Sequence, residues 1–217
     1  DLVEIGIPFS DPIAEGVAIQ NANIRALANG ATTDGIFAMV EKVRQKTQVP
    51  LVFLTYINPV LHYGYERFFA CCQKVGIDGI ICPDLPYEEK EEIAAFAACH
   101  QVDIISLIAP TSEDRIQKIA QEAQGFVYVV SSMGVTGMRS EIKTDLKSIL
   151  QIVKQYAKVP TAVGFGINTP QQAHKIAQIA DGVIVGSAIV KIIEQYGEAS
   201  TEHVAAYVRS MKEAVSS

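Results

Sequence analysis

Short apolar runs rich in valine and isoleucine alternate along this chain with stretches whose apolar residues recur at helical spacing. The runs lie at 2–7, 51–56, 79–82, 103–108, 126–130, 161–164 and 182–185. Continuous rather than alternating apolar character is what strands covered on both faces require, so the runs predict a parallel sheet. Between them, Ile36, Phe37, Val40 and Val43 fall on one helical face, as do Leu146, Ile149, Leu150 and Val153. Those faces predict core-facing helices. Helix boundaries are marked as well. Thr111-Ser112-Glu113-Asp114 sets hydroxyls and acids at a helix start, Asn168-Thr169-Pro170 sets a cap before a first-turn proline, and Asn29-Gly30 reads as a helix stop.

Strand–helix alternation of this kind predicts an α/β fold, specifically a (β/α)8 TIM barrel. Seven apolar runs are present where a closed barrel uses about eight strands. The chain also opens inside a strand, at Asp1-Leu2-Val3-Glu4. The expectation is therefore one TIM-barrel domain across residues 1–217, N-terminally incomplete, with the first strand–helix unit absent from this chain. A doubly wound open sheet is the alternative, and it has little support because no Gly-x-Gly-x-x-Gly turn follows the first strand.

Composition narrows the function classes. With 217 residues and 49% hydrophobic content the chain can build one sizeable core. A formal net charge of -6 leaves no broad positive field for nucleic acid or anionic lipid, so any phosphate must be gripped locally. Cys71, Cys72, Cys82 and Cys99 lack metal-ligand spacing and read as reduced, mostly buried residues. No apolar run approaches the ~20 residues that span a bilayer. A soluble, cytoplasmic protein is expected.

In a barrel the segments after the strands converge on one face, so polar residues there are the first candidates for chemistry. Segment 4–16 places Glu4 inside an apolar strand, with Asp11 and Glu15 in the loop that follows. A carboxylate in such a strand is either a strand-end ion pair or a general acid–base whose pKa burial has raised, and the sequence divides these evenly. Segment 131–138, Ser-Ser-Met-Gly-Val-Thr-Gly-Met, is either a surface loop or a lid that brings Thr136 over a substrate. Gly164-Phe165-Gly166-Ile167 and Gly186-Ser187-Ala188 follow the last two strands. Glycine backbones and a helix start can make a lysine-free phosphate cup there, although each glycine alone could be a turn residue. His62, His100, His174 and His203 lack ligand spacing and read as surface or packing residues, and the acidic run 88–92 as a solvated helix start. Leu54, Ile81, Tyr128 and Phe165 read first as core, and Asn58-Pro59 and Asp84-Leu85-Pro86 as turn chemistry.

Five motifs, in order, resemble the tryptophan synthase alpha family. They are Glu-Ile-Gly-Ile-Pro-Phe-Ser-Asp-Pro at 4–12, Pro-Asp-Leu-Pro at 83–86, Gly-Val-Thr-Gly at 134–137, Gly-Phe-Gly-Ile at 164–167 and Gly-Ser-Ala-Ile-Val at 186–190. The resemblance implies a lyase of tryptophan biosynthesis that cleaves indole-3-glycerol phosphate to indole and glyceraldehyde 3-phosphate by a retro-aldol step. It implies that Glu4 is the general acid–base, and that Glu15 stands where the family usually has an aspartate serving indole N1. Here the side chain is one methylene longer, and Val17 replaces a usual proline. Leu54, Ile81, Tyr128, Phe165 and Ile184 would line an indole slot, Thr136 would position the catalytic groups, and the backbones of Gly137, Gly166, Gly186 and Ser187 would hold phosphate. No metal or organic cofactor is implied in this subunit. The implied partner is a pyridoxal-phosphate (PLP) β subunit in an α2β2 complex, faced by Asp11, Pro12, Asn58 and Pro59. Two other readings stay open: another phosphate-binding barrel enzyme, or a catalytically silent subunit that mainly activates its β partner.

Overall fold

Every apolar run marked as a strand carries one in the computed structural model, which describes residues 1–110, 112–130, 146–164 and 166–216. In chain order the elements are β1 (Val3–Gly6), α1 (Val17–Ala28), α2 (Thr33–Arg44), β2 (Leu51–Leu54), α3 (Ile57–Tyr63), α4 (Tyr65–Val75), β3 (Gly79–Ile81), α5 (Glu91–Cys99) and β4 (Asp103–Ile104). They continue with β5 (Ser106–Ile108), α6 (Glu113–Gln121), β6 (Val127–Val130), α7 (Leu146–Tyr156), β7 (Thr161–Gly164), α8 (Pro170–Ala177), β8 (Gly182–Val183), α9 (Ser187–Tyr196) and α10 (Ser200–Ser216). Two sheets result, in the orders β1-β2-β3-β4 and β5-β6-β7-β8. The run 103–108 is thus two short strands, one in each sheet. The break falls at Ile105, whose N–H still donates to Ile80 O. Two compact units carry these sheets: Asp1–Ile13 with Asn23–Ser106, and Ala14–Ala22 with Leu107–Ser217.

In the first unit β1 to β4 are parallel, paired Glu4 with Val52, Gly6 with Leu54, Leu54 with Ile81, and Gly79 with Asp103. Alternation along each strand then sorts the side chains. Leu51, Phe53, Ile80 and Ile104 enter the core formed with Phe37, Val40, Val60, Phe68, Phe69, Cys72 and Val75 of the helices. Phe37 sits at its centre, with ring centroids 5.5 Å from both Phe53 and Phe68. Burying one such ring stabilises the fold by roughly 2–3 kcal/mol. Ile36 and Val43 flank Phe37 and Val40 as the helical spacing predicts. The alternate residues, Glu4, Val52, Leu54 and Ile81, share the sheet face turned away from those helices.

The second unit repeats the scheme. Val127 and Val129 on β6, Thr161 and Val163 on β7, and Leu146, Leu150 and Val153 on α7 are buried. The helix starts follow the sequence signals. Thr169 accepts a hydrogen bond from Gln172 N–H in a reciprocal capping box with Pro170 at the first turn. Glu113 and Asp114 occupy the first turn of α6, where negative charge favours the helix dipole. Gly30, past the end of α1, has φ 78°, a left-handed value that suits glycine at a helix stop.

Each unit also staples the amino ends of two neighbouring strands with one aspartate. Asp78 Oδ2, just before β3, accepts from the N–H of Leu51 at the start of β2 and from Arg44 on α2, both at 2.8 Å. Asp181, just before β8, accepts from Thr161 N–H at 2.9 Å and Thr161 Oγ1 at 2.7 Å at the start of β7, and from Lys154 on α7 at 3.2 Å. The same donor–acceptor plan therefore starts β2–β3 and β7–β8.

Candidate active site

Glu4 sits second in β1, on the sheet face away from the helices, beside Val52 and in the same face as Leu54 and Ile81. The residue is half-buried as a whole, yet its Oε1 is sealed from solvent and has no hydrogen-bond partner. An anion there has neither water nor a donor to stabilise it, so burial pushes the carboxyl up from 4.5 to about 7. Among the described residues Glu4 Oε1 has no ion-pair partner. Leu54 is half-buried and Ile81 fully buried.

The loops at the carboxyl ends of β1, β2 and β3 gather around Tyr56. Its ring lies 5.4 Å from that of Phe9, and its hydroxyl accepts from Ile13 N–H at 3.1 Å. Asp11 is exposed in the loop so held, hydrogen-bonded at Oδ2 by Ser10 Oγ at 2.5 Å, and Pro12 is half-buried. Tyr56 is also the cap residue of α3, whose first turn presents exposed Asn58 and half-buried Pro59. The N–H of Ile57 donates to the Asp84 carboxylate, at 3.0 Å to Oδ1 and 3.2 Å to Oδ2. Asp11 and Pro12 therefore lie in the loop after β1, whereas Asn58 and Pro59, expected in a loop, open helix α3, and Tyr56 joins the two.

In the second unit Glu15 is buried at 6% exposure, and its backbone carbonyl accepts from Gln20 Nε2 at 2.8 Å. Tyr128 on β6 shares a sheet face with Ala162, Gly164 and Ile184. Its ring lies over Gly164 so closely that a Cβ there would overlap its hydroxyl and ring carbons. Gly164 is thus needed for side-chain packing. Gly166 has φ 90°, and its carbonyl is held by Asn168 Nδ2 at 2.8 Å, while Asn168 O is held in turn by the Tyr207 hydroxyl of α10 at 2.9 Å. Gly186 is the cap residue of α9 with no side-chain cap, and Ser187 opens that helix. Bare amides at the start of a 10-residue helix suit an anion. Ile184 is half-buried and its N–H donates to Val163 O at 2.8 Å.

Thr136, Gly137 and Phe165 lie outside the described residues. Of the histidines, His100 bridges Gln73 and Glu66 at 3.0 and 2.9 Å, His174 meets Ala214 O at 3.0 Å, and His203 stacks on Tyr196 at 3.6 Å. Among the described residues no cluster of His, Cys, Asp and Glu could hold a metal ion, and no helix is long and apolar enough to cross a membrane. Burial raises the thiols of Cys72 and Cys82 above the ordinary cysteine value, which keeps them protonated and unreactive. Sequence reasoning missed Tyr56, which terminates an apolar run, and Asp84, which it took as turn chemistry. The latter's Asp-x-Pro setting gave no hint that its partner lies 27 residues back.

Parallel strands covered by helices define an α/β protein, with a buried carboxyl raised to about 7 on a strand of the first unit and a helix start without a side-chain cap in the second. The sequence pattern of the tryptophan synthase alpha chain family matches residues 1–216. The chain is 49% identical over 215 residues to the tryptophan synthase alpha chain of Lacticaseibacillus casei, covering 99% of this chain and 81% of that protein. The crystal structure of tryptophan synthase subunit alpha from Legionella pneumophila superposes with a TM-score of 0.88 at 36% identity, over 100% of this chain and 82% of that one. A Pyrococcus furiosus structure, described as the basis of mutual activation of the tryptophan synthase α2β2 complex, gives 0.88 at 35% identity, covering 97% and 85%. The chain belongs to the tryptophan synthase alpha chain family and has its TIM-barrel fold. It is a lyase of tryptophan biosynthesis that cleaves indole-3-glycerol phosphate.

Proposed function

We propose that Glu4 is the proton carrier of this cleavage. The neutral acid delivers its proton to indole C3, and the carboxylate left behind takes the proton of the glycerol hydroxyl next to the breaking bond. That hydroxyl carbon becomes the aldehyde of glyceraldehyde 3-phosphate. The C–C bonding electrons pass into the protonated ring, which leaves as indole. Protonation at C3 makes the ring its own electron sink, so neither a metal nor an organic cofactor is called for in this subunit. Glu15 serves the ring N1, with a reach one methylene longer than the usual aspartate. Leu54, Ile81, Tyr128, Phe165 and Ile184 line the indole slot, Thr136 positions the acids, and the backbones of Gly137, Gly166, Gly186 and Ser187 grip the phosphate.

The observation that carries this reading is the sealed, unpartnered Oε1 of Glu4, with its carboxyl raised to about 7. A group that exchanges a proton in both directions works best when its pKa lies near the working pH. The partner is a β subunit, which carries the PLP, in an α2β2 assembly of the kind named for Pyrococcus furiosus, and it is met by the loop of Asp11 and Pro12 and by Asn58 and Pro59 at the start of α3. Indole release from indole-3-glycerol phosphate by the full-length protein, with and without β subunit, tests the assignment. Glu4→Gln should lose at least about 100-fold in kcat, the usual worth of a general acid–base, with KM little changed. Turnover at the wild-type rate would remove Glu4 from the reaction.

A further inference from the structure

Tyr56 ties together structure that the backbone alone would leave loose. The stretch 8–13 between Glu4's strand and Glu15 contains no helix or strand, and its fixed points are few. Ile7 N–H donates to Leu54 O at 3.0 Å at its start, the Phe9 ring rests 5.4 Å from that of Tyr56 in its middle, and Ile13 N–H donates to the Tyr56 hydroxyl at its end. Tyr56 is only 2% exposed, so its ring is held by packing. The start of α3 on which it sits is pinned by Asp84 through the N–H of Ile57. A rigid side chain on a pinned helix start is a better anchor than one on a free loop.

We propose that Tyr56 is a positioning residue for the cleavage reaction, whose hydroxyl latches Ile13 and so fixes the loop 8–13 that follows Glu4's strand, with Asp84 setting Tyr56 in place. The inference rests on the acid–base reading of Glu4 for its effect on rate, but the latch itself does not depend on that reading. Losing the latch leaves the apolar and phosphate contacts intact, so substrate should bind as before while fewer bound complexes have the loop in its productive place. A β subunit that grips the same loop from outside would replace the lost restraint.

Tyr56→Phe keeps the ring against Phe9 and removes the hydroxyl that Ile13 N–H meets. In the full-length protein it should speed amide hydrogen exchange at Ile13 by about tenfold or more, and lower kcat for indole release by about tenfold with KM within about twofold. Saturating β subunit should recover most of that loss, and the thermal midpoint should stay close to wild type. Asp84→Ala should move Ile13 exchange and kcat in the same direction. Unchanged Ile13 exchange in Tyr56→Phe would overturn the latch. Faster exchange with an unchanged kcat, or a kcat loss that merely follows a loss of folded protein, would overturn its role in positioning. Glu4→Gln assayed alongside separates the two ideas, since full activity in that variant would reject the acid–base reading while leaving the exchange result to judge the latch.

Discussion

Glu4 should make the protein less stable as pH rises, the reverse of what most carboxylates do. An ordinary aspartate or glutamate gains partners on folding, so its folded pKa falls and its contribution is lost in acid. Glu4 gains none at Oε1, and burial raises its carboxyl from 4.5 to about 7. The folded state therefore holds a proton that the unfolded chain releases above about 4.5. Below that value both states carry it and nothing is lost. Between 4.5 and 7 the unfolded state ionises first, and stability drains away with rising pH. Above 7 both states are ionised and the deficit is complete. At about 1.4 kcal/mol per pKa unit, the shift corresponds to roughly 3 kcal/mol, a large share of a domain's typical ~5–15 kcal/mol. Glu4→Gln has a similar shape and cannot ionise. Any fixed effect of its amide is the same at every pH, so the stability difference between variant and wild type should grow by roughly 3 kcal/mol between pH 4.5 and pH 8. Urea unfolding of both proteins at half-unit steps measures this directly. Two parallel stability curves would mean that the carboxyl is solvated or paired in solution, and the reasoning about Glu4 would fail with them.

Two further substitutions probe the packing and the staples. Gly164→Ala would press a methyl into the Tyr128 ring, which is 7% exposed and has little room to retreat. A loss of about 2 kcal/mol, or roughly 4–8 °C in Tm, is expected by calorimetry, with part of it regained when Tyr128→Leu is added; no recovery in the double variant would show that the clash is not the cause. Asp181→Ala should cost about 1 kcal/mol near neutrality, a modest value because the side chain and its Lys154 partner are partly exposed. Partial burial pushes the Asp181 carboxyl up, but the Thr161 N–H and hydroxyl and Lys154 outweigh it and hold the carboxyl below 3.8. Its contribution is thus present above 3.8 and is lost as pH falls through the lowered folded value, so the gap between variant and wild type should close in acid; a gap that held constant to pH 2 would argue against these hydrogen bonds.

How far the sequence reveals this depends on whether the feature is local. The apolar runs locate every strand among the described residues, and run 161–164 coincides with β7 because nothing outside that segment is needed to define it. Run 103–108 does not disclose its division into β4 and β5, since an apolar pattern says that a strand is buried and not which neighbour it bonds. Glu4 stands out as a carboxylate in an apolar strand, but the choice between ion pair and acid is made by what surrounds one oxygen, which is tertiary. The Tyr56–Ile13 contact spans 43 residues and the Ile57–Asp84 contact 27, so neither leaves a local trace. Gly164 is legible as a glycine in a glycine-rich turn, and only the structure supplies Tyr128 as a reason for it.

The two ends of the strands treat charge in opposite ways, and this separates stability from chemistry. At the amino ends Asp78 and Asp181 are paired with backbone N–H groups and a basic side chain, so ionisation there stabilises the fold. On β1 the sealed Oε1 of Glu4 has no such donor, and beyond β8 the start of α9 lacks a side-chain cap. Ionising a buried oxygen without a donor costs the folded chain stability, a cost that the paired aspartates do not carry. Substitutions at the staples should therefore move Tm with little effect on kcat. Those at Glu4 should do the reverse near neutral pH, raising stability while abolishing turnover. A variant of Glu4 that lost both at pH 8 would show that the carboxylate is part of the scaffold.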